Sequence, residues 1–146
     1  MLDESLWEQA AAFHGHKCPG LAIGFKVVEG AIAELGLDGS HLPGVDEGVV
    51  CVAEVDTCPV DAARFLLGCT EKRSNLIIRL SKDMAFSFFV PATGKRVRLV
   101  LTASRPESMS RADFITYLLE HPYDELFSVE EPGFELAELD LPGAEG

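Results

Sequence analysis

Pro19–Gly36, PGLAIGFKVVEGAIAELG, constrains the fold more than any other stretch. Proline at its first position and glycine at its end are the marks of a helix. Yet Gly20, Gly24 and Gly30 stand inside it, each weakening its intrinsic propensity by up to about 1 kcal/mol. Such a segment becomes a helix when another part of the chain packs closely against its small-residue face, and the chain must supply that neighbour.

The rest of the chain reads as one domain, 1–146, of helices and strands. Leu6, Trp7, Ala10, Ala11 and Phe13 form an apolar stripe in a short first helix, with Ser5 as its expected N-cap. Val49–Asp56 alternates and is rich in valine, as a strand should be. Pro59–Leu67 predicts a compact helix closed by Gly68. Asn75–Leu80, Ala85–Val90 and Arg96–Thr102 predict three further strands, the last two joined by a hairpin at Pro91–Gly94. Ser110–Glu120 predicts an amphipathic helix with Ser110 and Asp113 at its start. Pro122, Pro132 and Pro142 then suggest an irregular tail. The expected architecture is α+β: a mainly antiparallel sheet of about four strands packed with helices.

Charge excludes some partners. The formal net charge is −12, and nine of the 24 acidic residues fall in Glu120–Gly146, a stretch without Lys or Arg. Phosphate backbones and anionic membrane surfaces are repelled by such a chain, so no nucleic-acid or membrane partner is expected. The acidic tail, about 128–146, is expected to aid solubility or to run over the surface. Met1-Leu2-Asp3-Glu4 is acidic where a secretory signal is basic, and apolar runs such as Ala85–Val90 are too short to span a bilayer. A cytoplasmic location follows as the expectation. There, Cys18, Cys51, Cys58 and Cys69 are expected as thiols, metal ligands or catalytic groups rather than disulfides, and they contain no CxxC pair.

One local design occurs twice. In Phe13-His-Gly-His-Lys-Cys-Pro-Gly20 and in Asp56-Thr-Cys-Pro-Val-Asp61, a cysteine stands immediately before a proline that opens a helix. At an N-cap, Cys18 and Cys58 meet unpaired N–H groups and the positive end of the helix dipole, which favour a thiolate. His14 and His16 lie beside the first, and imidazole with thiolate suits zinc or another borderline metal. Asp61 is either a capping carboxylate or a catalytic one. Cys69 either returns to the same site or is buried, and Cys51 belongs to a strand's core face. His41 and His121 are expected at the surface. Glu54 and Asp56 share a strand face and are expected to be solvated or salt-bridged. Lys72, Arg73, Arg79, Lys82, Lys95, Arg96 and Arg98 are expected on a solvated face, with an anionic ligand beside Thr70–Asn75 as the sharper alternative.

The run Phe13–Gly24 resembles the opening signature of the FmdE family, named after the E component of formylmethanofuran dehydrogenase. Glu54–Ala62 and Leu66-Leu-Gly-Cys-Thr70 with Asn75-Leu76 are similar to its second signature, and Thr93-Gly-Lys95 with Tyr123–Phe127 fit its later hairpin and tail. The resemblance covers roughly residues 5–130. It implies an α+β core domain in an intertwined homodimer, with a cleft where His and Cys gather around a metal. Carried onto this chain, the candidates are His14, His16, Cys18, Cys58, Asp61 and Cys69. With no cysteine after Cys69, the chain resembles a member lacking the family's C-terminal zinc finger. Lys72-Arg73-Ser74 stands where the family usually carries Gly-Lys-Gly, a departure that bears on close backbone approach there.

Three functions follow as expectations. The first is a zinc-binding protein, using His14, His16, Cys18, Cys58 and Cys69, that serves as subunit or accessory of a molybdenum or tungsten redox enzyme of one-carbon metabolism. The second is a thiol enzyme with Cys58 or Cys18 as nucleophile, His14 as base and Asp61 as orienter. The third is a regulatory or partner-binding module without chemistry.

Overall fold

The computed structural model describes residues 3–44 and 48–139. The elements run α1 (Glu4–His14), α2 (Pro19–Leu35), β1 (Val50–Ala53), α3 (Pro59–Leu67), β2 (Leu76–Ile78), β3 (Ala85–Val90), β4 (Lys95–Leu101), α4 (Arg111–Glu120), α5 (Tyr123–Leu126) and β5 (Phe127–Glu130), followed by a single 3₁₀ turn at Leu136–Glu138. The α+β class is as expected, but the sheet has five strands in the order β2-β1-β3-β4-β5. It is mixed: β1 pairs parallel with β2, and the remaining pairs are antiparallel. The correction has a simple cause. Helix α3 lies between β1 and β2 in the chain, and a strand that returns through a helical crossover arrives parallel. The fifth strand is hidden in the sequence by Pro122 and Pro132, which read as breakers, whereas Pro122 is the N-cap of the short α5 that leads into β5.

Helix α2 is the centre of the fold, packing on α3, α4 and the β3–β4 part of the sheet. Its glycines are contact points. A Cβ on Gly24 would stand 2.2 Å from the Pro59 carbonyl oxygen, and one on Gly20 would stand 2.8 Å from Cys58 Cβ. The neighbour required by the composition of α2 is thus the N-terminus of α3. This close crossing holds together the two Cys-Pro helix starts.

Capping follows the sequence in most places. Ser110 accepts from the Asp113 N–H at α4, and Gly15, Gly36 and Gly68 take positive φ at the C-caps of α1, α2 and α3. At α1 the cap is Asp3 rather than Ser5: its carboxylate accepts from Leu6 N–H at 2.9 Å. Ser74 also takes a positive φ, 59°, where the related sequences carry glycine.

The outer face of the sheet is covered by the tail. Phe134 packs on Phe89, with ring centroids 5.5 Å apart, and the Arg79 guanidinium lies 5.0 Å over the Phe134 ring. Arg96 pairs with Glu131 and Glu135. These arginines therefore hold acidic and aromatic groups of the chain itself, not an open solvated face. The tail's last residues, 140–146, lie outside the described residues. No helix among the described residues is long and apolar enough to cross a membrane.

Candidate metal centre

The centre forms where α1 ends, α2 begins and α3 begins. Residue His14 closes α1, and Gly15, at φ 108°, turns the chain so that His16 and Cys18 follow within one short loop. Cys18 is the N-cap of α2 in extended conformation, and its sulfur accepts from Leu21 N–H at 3.4 Å. Cys58 reaches the same place from α3. One ligand atom from each of His14, His16, Cys18 and Cys58 lies within 4.8 Å of every other. Four ligands in tetrahedral zinc, with bonds of about 2.0–2.3 Å, stand roughly 3.3–3.8 Å apart. Small side-chain rotations would close the group onto an ion. Its two nitrogens and two sulfurs are the donor set that zinc favours.

Asp61 has a definite role in this geometry. Its Oδ2 lies 2.6 Å from His14 Nδ1, and its Oδ1 accepts from Arg64 Nη1 at 2.9 Å. A carboxylate on Nδ1 makes that nitrogen the donor, so Nε2 carries the lone pair. Nε2 stands 3.7 Å from Cys18 Sγ, inside the group. A ligand histidine held from behind by a carboxylate is the usual support for a metal site. Arg64 is fixed in turn by Glu71, with Nη2 2.7 Å from Oε2. Burial acts to raise the Asp61 carboxyl, but hydrogen bonds from His14 and Arg64 outweigh it and hold it below the ordinary carboxylate range. Asp61 therefore clamps His14 rather than capping α3.

Two expectations are corrected here. Cys58 does not cap α3 with its side chain: its backbone is helical, at φ −45° and ψ −41°, and its thiol makes no cap hydrogen bond. The first turn closes instead through backbone bonds from Val60 to Thr57 and from Asp61 to Cys58. Burial, then the adjoining Cys18 thiol, pushes the Cys58 thiol up rather than down. That is opposite to an activated nucleophile. Cys69, the other correction, is not brought into the group. It is fully buried, its thiol donates to the Val49 carbonyl at 3.5 Å, and burial pushes its pKa up to about 12. Gly68 turns the chain back under the sheet, so Cys69 points into the core. Cys51 is buried on β1 as expected.

The other polar residues also find partners. Glu54 receives Arg98 through two hydrogen bonds, 2.9 and 3.0 Å, and His121 Nδ1 donates to the Tyr117 carbonyl at 2.7 Å. His41 is exposed. Sequence reasoning gives no role to Lys26 and Glu29, which form a buried pair 2.6 Å apart inside α2. A lysine and a glutamate three apart in an otherwise apolar helix are the available signal.

An α+β domain with a carboxylate-backed His/Cys centre between two helix starts is the class of protein that fold and site define. The FmdE family model, described as "FmdE, Molybdenum formylmethanofuran dehydrogenase operon", matches residues 13–128. The chain belongs to the FmdE family. Its fold is similar to the crystal structure of an FmdE-like protein of tungsten formylmethanofuran dehydrogenase type from Syntrophus aciditrophicus. That match has a TM-score of 0.65 at 24% identity and covers 94% of this chain and 75% of the other. Over 69 residues the chain is 32% identical to a probable S-adenosyl-L-methionine-binding protein of Archaeoglobus fulgidus. The matched segment is 47% of this chain and 19% of that protein.

Proposed function

We propose that this protein holds a transition metal ion, zinc by its donor set, between the starts of α2 and α3. The ligands are His14, His16, Cys18 and Cys58, and Asp61 positions His14. The observation that carries this reading is the convergence of two imidazoles and two thiols on one point, with a carboxylate behind one of the imidazoles. A zinc ion supplies a Lewis acid and a cross-link between α1, α2 and α3. Within the FmdE family such a protein serves a redox enzyme related to formylmethanofuran dehydrogenase, as subunit or accessory. We include in the proposal a cytoplasmic location and a homodimer, on the family resemblance.

The test is metal content after purification without chelator. Wild-type protein is expected to carry about one zinc per chain, and Cys18→Ser and His16→Ala to lose it. Wild-type protein that takes up no metal when offered zinc, or variants that keep the full amount, would overturn the reading.

One observation favours a second reading, thiol catalysis. Cys18, His14 and Asp61 lie in the order nucleophile, base and orienter. Against it, Cys18 is only 4% exposed. Rapid alkylation of Cys18 in metal-free protein, abolished by His14→Ala, would support catalysis over metal binding.

A further inference from the structure

Away from the metal centre, α1, α2 and α4 enclose a cavity of about 690 Å³, a size typical of small-molecule sites. Its apolar wall is Trp7, Phe25, Ile115 and Leu119. Trp7 and Phe25 meet edge to face, with centroids 5.6 Å apart. The cavity is also lined by Lys26 and Glu29.

That pair is costly where it stands. Lys26 is 1% exposed and its Nζ lies 2.6 Å from Glu29 Oε1, yet no acceptor among the described residues meets it in hydrogen-bond geometry. Desolvating an ammonium without making its hydrogen bonds is unfavourable, and a buried ion pair contributes little stability against an apolar replacement. The packing of α2 gives no reason for a lysine here. A ligand acceptor at Nζ does.

The charge of the cavity narrows the ligand. Five carboxylates and two lysines line it, and the second lysine, Lys17, is paired with Glu8 at 2.7 Å. A simple anion attracted to Lys26 would meet a net negative field. A ligand that carries its own ammonium beside its acceptor would not. We propose that this cavity binds a small zwitterion with an apolar body, an α-amino acid or a close derivative. Its carboxylate lies at Lys26, its ammonium faces the carboxylates around Glu29, and its side chain rests on Trp7, Phe25, Ile115 and Leu119. The proposal is independent of the metal centre and does not rest on it.

Trp7 is the chain's single tryptophan, so its fluorescence reports on the cavity directly. The full chain is titrated with L-phenylalanine and with L-leucine, and binding is checked by calorimetry. Controls are 3-phenylpropanoate, which lacks the ammonium, and 2-phenylethylamine, which lacks the carboxylate. The expected result is saturable binding of at least one amino acid with a Kd of about 1 mM or tighter. Both controls and Lys26→Met are expected to be at least tenfold weaker. Should Lys26→Met fail to fold, Thr116→Trp narrows the cavity from an exposed position on α4, and calorimetry is expected to show the same loss. Three results would overturn the proposal: neither amino acid saturates by about 10 mM, a control binds as tightly, or a folded variant binds as wild type does.

Discussion

Replacing Asp61 tests how the centre is built. The carboxylate lies 2.6 Å from His14 Nδ1, with the two side chains 10% and 26% exposed, histidine first. It fixes both the tautomer and the direction of the ring, so its removal should cost metal affinity without deleting a ligand. Outer partners of this kind are worth about 10–100-fold in metal affinity, which is about 1.4–2.7 kcal/mol. The two obvious substitutions divide that range. In Asp61→Asn the amide oxygen can still accept from Nδ1, so what is lost is charge, and the expected fall is about tenfold. In Asp61→Ala the ring loses its anchor and Arg64 keeps only Glu71, so the expected fall is nearer a hundredfold. Competition against a chromophoric zinc chelator at neutral pH measures both. Melting of the metal-free proteins separates affinity from folding. If Asp61→Ala binds zinc within a factor of two of wild type, the role assigned to Asp61 is refuted. A decline no larger than the loss of metal-free stability would refute it equally.

Three further outcomes follow from the packing and the charges. Hydrogen bonds from Arg98 and Ser81 overcome the opposing effect of burial and hold the Glu54 carboxyl below its ordinary value. Its stabilising effect is therefore complete above the unfolded pKa, about 4.3, and is lost as pH falls through the lower folded value. Glu54→Gln should cost about 2 kcal/mol at neutral pH and flatten the decline of stability between about pH 5 and pH 3, as read by denaturant melts. Gly24→Ala puts a Cβ 2.2 Å from the Pro59 carbonyl. It should cost at least about 1–3 kcal/mol and weaken zinc binding as well, because α3 carries Cys58. Cys69→Ala should leave zinc affinity unchanged in the same chelator competition while lowering the melting temperature. The cause is loss of a buried thiol and its bond to Val49.

How much of this is legible in the sequence depends on distance along the chain. Local signals carry through: the Pro-to-Gly helix boundaries, the Ser110 cap, the Cys18 cap and the need for a close neighbour at Gly20 and Gly24. The first half of the centre is readable because His14, His16 and Cys18 share one turn. Asp61 is ambiguous because its partner, His14, stands 47 residues away, and a carboxylate near a helix start serves equally well as a cap. Cys58 and Cys18 share the same Cys-Pro signature but differ in backbone. A turn beginning at Thr57 takes over the capping of α3 and leaves the Cys58 thiol to the centre. Cys69 is ambiguous too, since a cysteine after a helix-ending glycine can turn either way. The parallel β1–β2 pair and β5 depend on tertiary placement, about which short apolar runs carry no information.

The central claim is a metal held by two imidazoles and two thiolates from both helix starts, and X-ray absorption at the zinc edge reads that shell directly. On zinc-loaded wild-type protein the expected shell is two sulfurs at about 2.3 Å and two nitrogens at about 2.0–2.1 Å. In Cys58→Ser one sulfur should disappear. A shell of nitrogen and oxygen alone, or two sulfurs persisting in Cys58→Ser, would contradict it.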